Sequence, residues 1–161
     1  HQNRIAGLAF DLALFTNITH DHLDYHNTFD EYIKAKKKFF DDLPSFTKAI
    51  TNADERHGNT MVLNTKAEVK KYGLKAMADY KCRLVENSFT GLQLNIDGQD
   101  VWTRLVGSFN AYNLLSVYAT AVELGEDKIW MIFDDFWMNF VEIDQKIDVG
   151  KSKSCTQNPK P

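Results

Sequence analysis

The sequence predicts an α/β fold: a mostly parallel sheet with flanking helices, plus a small antiparallel β subregion at about residues 80–105. Three observations lead there. Strand-like apolar runs alternate with helical periodicity as far as residue 72, the order of parallel βαβ units. After residue 78 the apolar runs become short and closely spaced, with breaks at Gly91 and Asp97-Gly98, and Asp-Gly between two such runs is a strong hairpin signal. The chain has 161 residues, 43% hydrophobic and 25% charged, which is a globular balance with room for one ordinary domain.

Taken in order, residues 12–16 read as a buried strand ending in a polar cluster, 17–27, that holds His20, His22 and His26 with Asp21 and Asp24. Thr28 is placed to cap the next helix, with Glu31 as its capping-box partner. That helix should run over 29–41 and stop near Pro44. Residues 47–51 and 60–63 read as short strands, with Asn52-Ala53-Asp54-Glu55 as loop chemistry between them. The lysine-rich stretch 65–72 reads as a helix ended by Gly73. Short strands are expected at 81–86, 92–96 and 101–105, and a helix over about 110–124, closed by Gly125. Residues 128–150 form an aromatic-rich segment, the first part of which could be helical, and 151–161 read as a disordered tail. The domain therefore spans 1–127.

Several function classes are disfavoured by composition. The formal net charge of −3 argues against a nucleic-acid footprint, which needs a basic face. Every long apolar stretch is interrupted by Asp, Asn or Lys, so no membrane span is expected. The opening His1-Gln2-Asn3-Arg4 does not resemble a secretory signal. Cys82 and Cys155 lack metal-type spacing, and a reducing, cytoplasmic setting is the natural reading.

Three groups carry candidate chemistry. On the helix over 29–41, Phe29, Tyr32, Ile33, Phe39 and Phe40 share one apolar face at 3.6-residue periodicity. Lys36 falls in the middle of that face, while Lys34, Lys37 and Lys38 point away. Lys36 either packs its stem and extends its head to the edge, or is held as an amine available for modification or catalysis. The histidine and aspartate cluster at a strand end could bind a metal or could be a polar loop of satisfied side chains, for no standard zinc spacing is present. In Gly107-Ser108-Phe109-Asn110-Ala111-Tyr112-Asn113, two asparagines three apart present amides to one side. They are either a plain cap with a surface amide or a pair that reads a base edge.

These strings, in this order, resemble the central domain of the Mur ligases, the ATP-dependent amide-forming enzymes of peptidoglycan synthesis. The strings are Gln2-x-Arg4, Phe15-Thr16-Asn17-Ile18-Thr19-His20-Asp21-His22-Leu23-Asp24-Tyr25-His26, Tyr32-Ile33-Lys34-Ala35-Lys36, Asn52-Ala53-Asp54 and Gly107-x-Phe109-Asn110-x-x-Asn113. The likeness covers about residues 2–127 and is closest to the branch that adds the third amino acid to UDP-N-acetylmuramoyl-L-alanyl-D-glutamate. It implies ATP and Mg²⁺ as cofactors, a bacterial cytoplasmic location, and an acyl-phosphate route to the amide. It also implies that Lys36 is carbamylated and holds Mg²⁺, that His22 ligates Mg²⁺, and that Gln2 and Arg4 bind the UDP-muramoyl substrate. Asn113 and Asn110 then lie near the adenine ring, and Asp54 in a segment bordering the nucleotide. Diaminopimelate rather than lysine is implied as the incoming amino acid. The family's Gly-Lys-Thr phosphate loop and its amino-acid-selecting third domain have no counterpart in these residues. The chain thus reads as a central-domain fragment, inactive alone; the alternative is a non-catalytic remnant that binds metal, nucleotide or a partner protein.

Overall fold

The structure, a computed structural model, describes residues 8–18 and 29–126. Successive side chains of a strand point to opposite faces, and Ala13 and Phe15 bury one face of β1 (Leu12–Phe15). Helix α1 (Phe29–Asp41) follows, with Asp30 and Glu31 in its first turn and Lys38 in its last, the charge order that suits a helix dipole. In β2 (Lys48–Asn52) every residue after Lys48 is buried, as expected of an interior parallel strand covered on both faces. The single turn α2 (Gly58–Met61), strands β3 (Glu68–Gly73), β4 (Tyr80–Ser88), β5 (Gly91–Ile96) and β6 (Gln99–Thr103), and helix α3 (Phe109–Glu123) complete the order.

The six strands form one sheet in sequence order, parallel from β1 to the β3–β4 pair and antiparallel from β4 to β6. The predicted hairpin forms across Asp97-Gly98, which join the paired residues Ile96 and Gln99. Both turn residues have positive φ, 48° and 88°, as a two-residue turn matched to strand twist requires. On one face, α1 and α2 cover Ala13, Phe15, Ala49 and Ala67 with Phe40, Met61 and Val62. On the other face lies α3, which reaches β1 through β5. Among the described residues no helix is long and apolar enough to cross a membrane.

Two predicted elements are exchanged in the structure. Residues 60–63 are no strand: the α2 turn carries Met61, and one turn suffices to bury it together with Val62. Residues 65–72 are no helix. Glu68–Gly73 pairs with β2 along its length and with β4 at Tyr72 and Gly73. Ala67 and Val69 pack against the α1–α2 side, while Tyr72 is fully buried. Helix propensity favours the lysines by only a few tenths of a kcal/mol each, and strand pairing with the burial of Tyr72 and Gly73 outweighs it. The helix over 29–41 forms as expected, but Lys37 does not point away; it is half-buried and paired with Asp41. The Thr28 cap, the 17–27 cluster beyond Ile18, the 128–150 segment and the 151–161 tail lie outside the described residues.

Helix α3 is tied down at its last turn. The Glu123 side chain, 7% exposed, sits 2.7 Å from Lys48 Nζ, accepts a hydrogen bond from the Tyr80 hydroxyl, and its backbone carbonyl accepts a second from Lys48. Burial pushes the Glu123 carboxyl up, but the hydrogen bonds from Lys48 and Tyr80 and the charges of Lys48 and Lys70 prevail and hold it below the usual glutamate range. A carboxyl depressed in the folded state stabilises the fold above its unfolded value of 4.5, and that contribution is lost as pH falls through the lower folded value. Unfolding measured against pH should therefore show a steeper acid loss for this chain than for Glu123→Gln, and Glu123→Gln should cost about 2 kcal/mol at neutral pH. Equal acid slopes would remove Glu123 from the account.

A close approach constrains α2. A Cβ on Gly58 would lie 2.0 Å from the Asn52 carbonyl oxygen, and the Gly58 carbonyl accepts the Thr51 hydroxyl at 2.9 Å. Gly58→Ala should cost about 2 kcal/mol or more through forced displacement of the β2 end, read as a lowered Tm. A Tm equal to that of the unsubstituted chain would mean that the backbone there yields freely.

Candidate functional site

Ligands of open α/β sheets bind at the carboxyl ends of the strands, and here the ends of β1, β2 and β3 come together under the first turns of α3. The cleft between them has a volume of about 350 Å³. Thr16 and Asn17 enter it after β1, Asn52, Asp54 and Glu55 at the end of β2, and Tyr72 from β3; Phe109, Tyr112 and Asn113 close it from α3.

A chain of hydrogen bonds holds these ends in register. Asn52 donates from Nδ2 to the Thr16 carbonyl at 3.1 Å, and its Oδ1 accepts the Asp54 backbone N–H at 3.0 Å. The Asp54 carboxylate then accepts the N–H groups of Leu74, Lys75 and Ala76 at 2.7, 2.9 and 2.6 Å. The Tyr112 hydroxyl donates to the same carboxylate at 3.0 Å. Burial raises the Asp54 pKa, but the three backbone donors and Tyr112 outweigh it and keep the carboxyl below its usual range. The Tyr112 hydroxyl is pushed up to about 12 by burial, by its bond to Asp54 and by that charge. Asp54 is thus an anion that accepts, and Tyr112 a phenol that keeps its proton. Burial likewise raises the Tyr72 hydroxyl.

The two asparagines bond to each other. Asn113 donates from Nδ2 to Asn110 Oδ1 at 3.1 Å, and Asn110 donates to the Val106 carbonyl at 2.9 Å. Asn113 lines the cleft, and Asn110 stands behind it as its orienter. Neither is the cap of α3, a position that Ser108 occupies.

A second cavity, about 420 Å³, lies over α1 and shares Thr16 and Asn17 with the first. Its walls are Leu14, Phe15, Tyr32, Ala35, Phe39 and Phe40, and Lys36 projects into it. The Lys36 ammonium rests 4.9 Å from the Tyr32 ring centroid, a cation–π distance. Among the described residues no carboxylate forms an ion pair with Lys36. Nor does any group of three or more His, Cys, Asp and Glu among them have metal-binding geometry.

Of the residues singled out in the sequence, Asp54 and Asn113 meet in the cleft, Asn110 adjoins them, and Lys36 lies in the neighbouring cavity. Gln2, Arg4 and His22 lie outside the described residues. Sequence reasoning missed Tyr72, Tyr112 and the role of Phe109. The available signal was the Tyr within the Asn-x-x-Asn spacing of α3, and its partner 58 residues away could not be read locally.

Residues 1–121 match the family described as the Mur ligase middle domain. The UDP-N-acetylmuramoyl-L-alanyl-D-glutamate--2,6-diaminopimelate ligase of Cytophaga hutchinsonii is 59% identical over 127 residues, 79% of this chain and 26% of its own length. The protein of the same name from Parabacteroides distasonis is 56% identical over 126 residues, 78% of this chain and 26% of its own. The chain therefore spans about a quarter of the curated relatives it matches. Among solved structures, MurF from Acinetobacter baumannii superposes with a TM-score of 0.63 at 18% identity, covering 71% of this chain and 26% of that one. A pseudomurein peptide ligase type C from Methanothermus fervidus gives 0.60 at 22% identity, covering 77% of this chain and 33% of that one. The strand-end cleft thus sits on a shared architecture, and the chain belongs to the Mur ligase family, of which residues 1–121 are the middle domain.

Proposed function

We propose that this chain supplies the nucleotide-binding middle domain of an ATP-dependent ligase that adds 2,6-diaminopimelate to UDP-N-acetylmuramoyl-L-alanyl-D-glutamate in the bacterial cytoplasm. The observation that carries the reading is the Asn113 amide, aimed into a strand-end cleft by Asn110, in a chain 59% identical to a ligase of that name. An amide whose oxygen and second N–H have no hydrogen bond among the described residues suits the edge of adenine, and the Phe109 ring, 65% exposed at the cleft lip, offers an apolar surface beside it. Asp54 borders the same cleft.

Lys36 fits the carbamate implied for it. Its head is held beside an aromatic ring, and its conversion to an anion would add oxygen donors to a cavity that Thr16 and Asn17 also line. Such an oxygen set suits a hard cation of the Mg²⁺ type, with His22 as a further ligand. When bound, Mg²⁺ neutralises charge on the ATP phosphates and orients them. Thr16 and Asn17 join the two cavities, so this chain's part is to hold the nucleotide base in one and the carbamylated lysine in the other. Gln2 and Arg4 would bind the UDP-muramoyl substrate, where an arginine fork suits phosphate or carboxylate. The overall chemistry is transfer of the ATP γ-phosphoryl to the D-glutamate side-chain carboxylate, after which the amine of the incoming amino acid attacks the acyl carbon and phosphate leaves.

Titrating ATP into the chain by calorimetry tests the base site: Asn113→Ala should weaken binding roughly tenfold, the worth of one or two hydrogen bonds, and Asn110→Ala should weaken it less. An Asn113→Ala affinity equal to the unsubstituted one removes the amide from the site. Carbamylation is tested separately, in an assembled ligase that contains this domain, with ¹³C-bicarbonate and Mg²⁺. A carbamate carbon resonance should appear and should vanish in Lys36→Ala; a resonance that persists in the variant assigns it to another amine.

A further inference from the structure

The resemblance implies that Asp54 lies in a segment bordering the nucleotide, and Asp54 does line the cleft. Its hydrogen-bonding capacity is nevertheless largely taken, Oδ2 by three donors and Oδ1 by one. A carboxylate offers about four acceptor sites, and Asp54 receives Leu74, Lys75 and Ala76 N–H and the Tyr112 hydroxyl. The donors lie 20 to 58 residues away along the chain and belong to the β3–β4 connection and to α3. Gly73 makes this approach feasible: a Cβ there would stand 3.3 Å from the carboxyl carbon and from both oxygens. On α3, Tyr112 lies between Phe109 and Asn113, and all three line the cleft. Whatever holds the Tyr112 hydroxyl therefore holds the orientation of that wall. A ligand atom bonding to Asp54 would compete with three donors at Oδ2 or share Oδ1 with the Ala76 N–H, and a phosphate would meet a like charge.

We propose that Asp54 is the positioning residue of the cleft: its carboxylate fixes the Tyr112 face of α3 and the 74–76 turn to the end of β2, and ligand contact is left to its neighbours. The proposal deepens the nucleotide reading and rests on it for the ligand. The holding of α3 and the turn stands on the hydrogen bonds alone.

The test uses the chain itself, with Asp54→Asn, Tyr112→Phe and the double variant. In the absence of nucleotide, amide hydrogen exchange at Leu74, Lys75 and Ala76 should speed up roughly tenfold or more in Asp54→Asn, while central β2 amides stay protected, because opening is local. Unchanged exchange at the three amides overturns the proposal whether or not ATP binds. With ATP as the probe, Asp54→Asn and Tyr112→Phe should each weaken affinity, and the double variant should be no weaker than Asp54→Asn, since both act through one bond. Losses that multiply in the double variant mean that Asp54 contacts ligand directly, and they overturn the proposal. Should Asp54→Asn fail to fold, Tyr112→Phe decides: weaker ATP binding with the 74–76 amides still protected supports the positioning role, and unchanged binding refutes it. The exchange measurement decides whether Asp54 holds the wall independently of whether the unsubstituted chain, which lacks the phosphate-loop string, binds ATP.

Discussion

Four hydrogen bonds converging on the Asp54 carboxylate are the constraint on which the rest of the site depends. Parallel strands end together by geometry, but nothing in sheet pairing alone determines where the next helix lies over those ends. Here one anion sets the relation. It draws in three successive backbone N–H groups from the β3–β4 connection and a phenol from α3, and it does so from the first turn after β2. Asn52 extends the same frame to the end of β1 through the Thr16 carbonyl. The Asn-x-Asp string is thus a connector between four chain segments, and the cleft is the space they leave.

Helix α3 is tied at three points along its length, each through a carboxylate. Tyr112 meets Asp54 near its start, Tyr118 donates to Asp97 in the β5–β6 hairpin at 2.9 Å, and Glu123 takes Lys48 and Tyr80 at its end. Between these points Ala111, Leu115 and Ala119 bury the apolar stripe of the helix against the sheet. Burial supplies most of the adhesion, being non-directional, while the three polar ties set the rotation and the position along the axis. This division explains why a helix with a broadly apolar surface presents Asn113 and Phe109, and not another pair, to the cleft.

The two cavities differ in chemistry. The cleft under α3 is lined largely by carboxamides, tyrosines and carboxylates. The cavity over α1 is walled by Phe15, Phe39, Phe40 and Tyr32 around one lysine. Aromatic walls keep the Lys36 head beside a ring and away from carboxylates of the described residues, and that is the environment in which an amine can be modified without first breaking an ion pair. Thr16 and Asn17 belong to both, so the residues just after β1 are where a nucleotide and the lysine would meet.

Much of this protein was legible in its residues. Leu12–Phe15, Phe29–Asp41, Lys48–Asn52, the Asp97-Gly98 hairpin and the α3 helix follow from periodicity and turn chemistry. The family follows from strings such as Tyr32-Ile33-Lys34-Ala35-Lys36 and Gly107-x-Phe109-Asn110-x-x-Asn113. The inward place of Lys36 was readable from the helical face on which it lies. What the residues did not disclose is whatever depends on partners distant in the chain. Glu68–Gly73 looks helical because its lysines favour a helix, and it is a strand because β2 and β4 offer its backbone hydrogen bonds on both sides. Asp54 looks like a ligand residue because it stands at a strand end, and only the tertiary structure shows its oxygens occupied by donors from residues 74–76 and 112. Local sequence determines the period of an element and its turns, since those are set by neighbours along the chain. Tertiary structure decides which element wins an ambiguous stretch and which polar atoms remain free, since those are set by groups that meet only once the sheet has formed.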